Sequence, residues 1–191
     1  MTCGIVLSGG ASSRMGQPKA LLELGGIGMA ERLFKLFSEF CDPVWIVTGA
    51  HHDRIASALP QYSPQLVWNA SHEEGMLSSL RTGLAQCGQA SSVLFSPVDF
   101  AGVQRSTIQA LFAAEQQAVV KPRWRGQSGH PVLIRTPAIQ ALNHARPGEN
   151  AKAVLSRFEA TYVDVEDRAV AEDCDTPDDY EKLLSWWHES A

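Results

Sequence analysis

The amino-acid sequence predicts an α/β domain in which helices cover both faces of a mostly parallel sheet. Three observations predict it: short apolar runs alternate with helix-period segments, the first run breaks into a glycine-rich turn, and polar residues recur where the runs end. The runs Cys3–Ser8, Val44–Thr48, Leu66–Asn69, Val93–Ser96, Val119–Lys121, Pro131–Ile134 and Tyr162–Val165 read as strands. Between them, Ala30, Leu33, Phe34, Phe37 and Phe40 form one apolar stripe at helical spacing. Met76, Leu77, Leu80, Leu84 and Cys87 form a second, and Tyr180, Leu183, Leu184 and Trp187 a third. Each stripe is expected to face the core, while residues 57–64 and 145–150 carry loop composition.

At 191 residues, with 45% hydrophobic content, the chain suits one well-buried domain spanning its length. A net charge of −5 with scattered basic residues argues against a nucleic-acid surface. No stretch approaches the ~20 apolar residues of a membrane span, and the chain goes straight into a strand, so neither a membrane span nor an export signal is expected. Cys3, Cys41, Cys87 and Cys174 form no C-x-x-C pair, so reduced thiols and a cytoplasmic location are expected. His51-His52-Asp53 lacks an i, i+4 partner for a metal and reads as a solvated helix start.

The first turn carries the strongest functional signal. Leu7-Ser8-Gly9-Gly10-Ala11-Ser12-Ser13-Arg14-Met15-Gly16-Gln17-Pro18-Lys19 joins small residues, whose backbone N–H groups can approach an anion closely, to two cations. This is a loop suited to a triphosphate. It departs from the P-loop, because Lys19 stands three residues after Gly16, and from the dinucleotide fingerprint, because the glycines fall at 9, 10 and 16. Parallel sheets bind ligands beyond the carboxyl ends of their strands, and Ser8, Thr48-Gly49, Asn69 and Asp99 all stand at such ends. Asp99, leaving Val93-Leu94-Phe95, is suited to hold Mg²⁺ against nucleotide phosphates.

Leu-Ser-Gly-Gly-x-Ser-x-Arg-Met-Gly-x-x-Lys resembles the signature of the nucleotidyltransferases that attach a nucleotide to the molybdenum cofactor. The resemblance covers essentially the whole chain and implies a Rossmann-like three-layer fold of nucleotide-diphospho-sugar-transferase type. Gly75-Met76-Leu77-Ser78-Ser79-Leu80 and Gly129-His130-Pro131-Val132-Leu133 are similar to later segments of the cytidylyl-type members. The resemblance implies nucleotide contacts from Leu7, Ser8, Gly9, Gly10, Arg14, Lys19, Thr48, Gly75 and Ser79. Arg14, Lys19 and Asp99 are the expected catalytic residues, and His130 lies on the acceptor side, where a purely structural role is an equal alternative. Ala101 stands where the family pattern has a second proline.

A second metal ligand is expected within Asp173-Cys174-Asp175-Thr176-Pro177-Asp178-Asp179. Thr176 suits a helix N-cap, Pro177 the first helical position, and Asp178 and Asp179 the first turn, where acids complement the dipole. Asp173 and Asp175 remain, and the family segment points to Asp175.

The implied reaction is attack by an acceptor phosphate on the α-phosphorus of a nucleoside triphosphate, which needs no strong base because a phosphate monoester is largely dianionic at neutral pH. CTP and molybdopterin are the favoured substrates, with a recipient molybdoenzyme or its chaperone receiving the product. Gly9-Gly10, by contrast, is similar to guanylyl-type members and leans towards GTP. Transfer to another phosphorylated small molecule, a nucleotide-binding cofactor carrier and a nucleotide-dependent oxidoreductase are the competing readings.

Overall fold

The computed structural model describes residues 1–114 and 117–190. A mixed sheet runs in the order β10-β7-β9-β6-β1-β4-β5, with β8 hairpinned onto β7. Its strands are β1 (Thr2–Ser8), β4 (Val44–Thr48), β5 (Leu66–Trp68), β6 (Ser92–Pro97), β7 (Val119–Trp124), β8 (Gln127–Ser128), β9 (Val132–Arg135) and β10 (Ala160–Asp164). Two short strands, β2 (Glu23–Leu24) and β3 (Ile27–Gly28), form a separate ribbon. All the predicted runs form strands, and most pairs are parallel, but β9 runs antiparallel to both β6 and β7. Because two reversals cancel, β7 points the same way as β6 and β1.

Strand alternation sends side chains to two cores. Val6, Ile46, Leu94, Val120 and Leu133 pack under α1 (Met29–Ser38), α2 (His52–Ala58) and α4 (Arg105–Ala113), with α7 (Pro177–Ser190) against their edge. Cys3, Ile5, Leu7, Phe95, Val119 and Val132 pack under α3 (Met76–Gln86), α5 (Thr136–Asn143) and α6 (Ala151–Leu155). The result is the expected three-layer α/β fold. Gly83 lets α3 sit directly on Ile5 and Val47, since a Cβ there would lie 2.8 Å from Ile5 Cγ2.

Several local expectations are corrected. Cys3 and Cys87 form a disulfide rather than remaining reduced, while Cys41 and Cys174 are free and buried. Cys3 begins the α3-facing side of β1 and Cys87 caps α3, which brings their Cα atoms to 5.7 Å, within bonding range. The thiol argument for a cytoplasmic location therefore lapses; among the described residues, no helix is long and apolar enough to cross a membrane. Residues 57–64 are largely helical, closing α2 and forming a 3-10 turn at Pro60–Gln65, because two prolines fit tight turns with few repeating hydrogen bonds. Met76 is 41% exposed instead of core-facing, since it opens α3 beyond the sheet edge.

Candidate active site

The carboxyl ends of β1 and β6 and the start of α3 enclose a cavity of about 280 Å³. Leu7, Ser8, Gly9, Gly10, Lys19, Gly75, Ser79 and Asp99 line it, so residues up to 92 positions apart in the chain converge on one crevice. Ser12, His72, Met76, Pro97 and Val98 also line it; Ser12 and Met76 fall inside the loop and α3 motifs without being among the expected contacts, and His72, Pro97 and Val98 carry no distinctive ligand pattern. Gly75 turns the chain into α3 at φ +96°, a conformation that favours glycine.

Close packing shapes the loop. A Cβ on Gly9 would lie 2.6 Å from Ser79 Oγ, and one on Gly49 would collide with the Gly9 carbonyl oxygen. Buried Asn69 fixes the opposite wall: its Nδ2 donates to Ser78 Oγ at 2.9 Å and Ser79 Oγ at 3.1 Å, while its Oδ1 accepts from the Ser71 N–H. The far side of the loop is anchored by His51 Nε2, 2.7 Å from the Ala11 carbonyl oxygen to which it donates. These contacts hold the loop in place before a ligand arrives.

Charge is concentrated at Lys19, whose Nζ lies 2.6 Å from Asp175 Oδ1 and 3.1 Å from Asp99 Oδ1. Arg14 Nη2 reaches the other Asp175 oxygen at 2.7 Å. Burial works against the Lys19 ammonium, but the hydrogen bonds and charges of the two carboxylates outweigh it and raise its pKa. The same burial pushes the Asp99 carboxyl up, with Lys19 offsetting part of the effect, while the Lys19 hydrogen bond holds Asp175 below its ordinary value. Two carboxylates converging on one cation form an all-oxygen donor pair compatible with a divalent ion completed by phosphate oxygens and water. Among the described residues, no group of three His, Cys, Asp or Glu side chains converges to hold a metal.

The segment carrying Asp175 is held from both ends. Asp167, 2% exposed, accepts from Gln104 N–H, Thr107 Oγ1 and Ala169 N–H, and Cys174 N–H donates to the Asp99 carbonyl at 3.2 Å. Asp167 escaped the sequence reading because its three partners come from α4 and its own turn. Beyond Asp175, Thr176 caps α7 as expected, and Asp179, expected only as a first-turn acid, accepts back from the Thr176 N–H and hydroxyl to make the cap reciprocal.

Other expected contacts stand elsewhere. Thr48 is fully buried, with Oγ1 2.7 Å from His52 Nδ1 and 3.3 Å from the Val67 carbonyl, and does not line the cavity. His51 stands at the N-cap position of α2 without a side-chain cap bond and His52 begins the helix, but both are half-buried and hydrogen-bonded, to the Ala11 carbonyl and to Thr48, rather than solvated. His130 packs its ring between Phe95 and Phe100, with burial lowering its pKa to about 4. Arg14 is largely exposed and reaches the site through Asp175. The 145–150 loop borders a second cavity of about 750 Å³ with Ser78, Arg81 and Thr82.

The fold and this cluster define a class, an α/β protein whose glycine-rich loop, lysine and two carboxylates meet at the carboxyl edge of the sheet. Residues 4–164 match the model of the MobA-like NTP transferase domain, and the chain belongs to that family. It is 24% identical over 180 residues to the molybdenum cofactor cytidylyltransferase of Escherichia coli, covering 92% of each chain. It is 30% identical over 193 residues to a probable molybdenum cofactor guanylyltransferase of Synechococcus elongatus, covering 94% of this chain and 96% of that protein. The fold is shared with Rv0371C of Mycobacterium tuberculosis, crystallised in complex with manganese, at a TM-score of 0.80, 21% identity and coverage of 96% and 98%.

Proposed function

We propose that the chain transfers CMP from CTP to the phosphate of a molybdopterin-type acceptor. The observation that carries this reading is Lys19 bridging Asp99 and Asp175 beside the glycine-rich cavity. The loop N–H groups and Lys19 receive the triphosphate, with Arg14 adding positive charge at the rim. Asp99 and Asp175 would hold Mg²⁺, which when bound neutralises phosphate charge and favours in-line displacement.

An acceptor phosphate oxygen attacks the α-phosphorus, forming one P–O bond. The bond between the α-phosphorus and the α–β bridging oxygen breaks, and pyrophosphate leaves with the electron pair. The acceptor is already a dianion near neutral pH, so the residues here orient the reactants and offset repulsion between two anions rather than abstract a proton.

GTP is the second reading, and the contact between Gly9 and Ser79 favours it. The Gly-Gly turn resembles guanylyl-type members, and the room at Gly9 is limited by Ser79 Oγ. Pyrophosphate release from CTP, GTP, ATP and UTP, each with and without molybdenum-loaded molybdopterin, tests both. Acceptor-dependent release from CTP is expected; release from GTP instead would move the donor assignment, and no acceptor-dependent release would overturn the transferase reading.

A further inference from the structure

The turn that follows Asp99 is clamped from two sides. Asp99 lies in the 3-10 turn Val98–Phe100, after which the Ala101 N–H donates to the Val98 carbonyl at 3.1 Å and the Val103 N–H to the Phe100 carbonyl at 3.2 Å. On one side stands Arg32 of α1, whose Nε donates to the Ala101 carbonyl at 2.7 Å and whose Nη2 donates to the Val103 carbonyl at 3.0 Å. On the other side lies α7. A Cβ on Gly102 would meet Leu183 Cδ1 at 2.8 Å and Trp186 Cζ3 at 3.2 Å, so the turn and the helix touch with no room for a side chain between them.

The same guanidinium also grips α7, since its Cζ lies 4.0 Å from the centre of the Trp187 ring. Burial lowers the Arg32 pKa to about 10, which leaves the group charged at neutral pH, and among the described residues no carboxylate lies within ion-pair distance of it. A charge drawn out of water costs free energy, which two carbonyls and an indole face offset here. Those partners belong to the two segments that bear the site's carboxylates. Ala101 and Val103 closely follow Asp99, and α7 begins at Pro177, just beyond Asp175. From Pro177 to Trp187 is about 15 Å of helix, a lever whose far end Arg32 holds and whose near end carries Asp175. Where the segments meet, the Cys174 N–H donates to the Asp99 carbonyl at 3.2 Å.

We propose that Arg32 is a positioning residue that fixes the spacing of Asp99 and Asp175 and so sets the affinity of the divalent-ion site they form. This rests on the assignment of the metal to those two carboxylates under the transferase reading above. A small divalent ion takes its oxygens at short, nearly fixed distances, so a site of this kind works only when its ligands are held to within about 0.5 Å. Arg32 touches neither nucleotide nor metal; it acts by holding two backbone segments together.

Hydrogen exchange reads that hold without metal or substrate. In Arg32→Met the Cys174 amide should exchange about 10-fold faster than in the wild-type chain. Mn²⁺ binding to the protein–CTP complex, followed by electron paramagnetic resonance, should weaken about 10- to 100-fold, while the CTP dissociation constant in the presence of EDTA stays unchanged. Arg32→Lys and Trp187→Leu, which each keep part of the clamp, should give smaller shifts in the same direction. A role in stability alone would lower the folded fraction without moving the Mn²⁺ dissociation constant of the folded protein. Unchanged Mn²⁺ affinity in folded Arg32→Met overturns the proposal, as does an equal loss of CTP affinity without metal. Should that variant not fold, unchanged Mn²⁺ affinity in both Arg32→Lys and Trp187→Leu overturns it. If the wild-type protein adds nothing to the Mn²⁺ affinity of free CTP, the metal assignment itself fails, and the Cys174 exchange rate alone decides whether Arg32 locks the two segments.

Discussion

Lys19 is the residue on which the site turns. Its ammonium is nearly buried and separates two carboxylates that would otherwise repel each other. Lys19→Met should lower turnover by roughly 10²- to 10³-fold, the usual cost of removing one preorganised charge from a transition state. Circular dichroism should show the fold retained, and near-normal turnover in a folded variant would exclude Lys19 from catalysis. Gly9 offers a subtler test. An alanine there must displace Ser79 Oγ, which Asn69 holds by a hydrogen bond, so Gly9→Ala should weaken nucleotide binding by about 1 kcal/mol, roughly fivefold. Ser79→Ala in the same chain removes the clash, and dissociation constants for the single and double variants should therefore be non-additive.

At the scale of the element, α7 places Asp175. Thr176 and Asp179 cap the helix reciprocally, and Pro177 starts it without sacrificing a hydrogen bond. Thr176→Ala should cost about 1 kcal/mol of stability in urea unfolding. Because Asp175 immediately precedes the cap, the same variant should lower activity more than it lowers stability would explain at saturating nucleotide. Activity unchanged in the variant would show that Lys19 and Arg14 hold Asp175 without help from the helix. Farther along α7, Trp187 lies over the Arg32 guanidinium at 4.0 Å, and Arg32 donates to the Ala101 and Val103 carbonyls, so the helix is also tied to the turn that follows Asp99.

Across the whole molecule, the Cys3–Cys87 disulfide closes a sequence separation of 84 and joins β1 to α3, two elements whose far ends line the cavity at Leu7–Ser8 and Met76–Ser79. Chain-entropy reasoning gives such a cross-link about 4.5 kcal/mol. Urea unfolding of the oxidised protein should therefore show a stability higher than that of the reduced protein by about that amount, and Cys87→Ser should match the reduced form. Equal stability of oxidised and reduced protein would remove the disulfide from the account of the fold. Together with Gly83, where α3 meets the sheet without an intervening side chain, the link fixes α3 against β1.

The sequence by itself determined the alternation of strands and helices, the glycine-rich loop with Lys19, the exit of Asp99 from its strand and the cap that leaves Asp175 free. These are local patterns of periodicity, turn chemistry and capping, and they survive in any fold that buries the apolar runs. Tertiary structure alone decided that Thr48 turns inward, that Asp167 ties α4 to the chain leading to Asp175, and that Cys3 meets Cys87. Each of these depends on which distant elements become neighbours, and a one-dimensional pattern carries no distance between residues far apart in the chain.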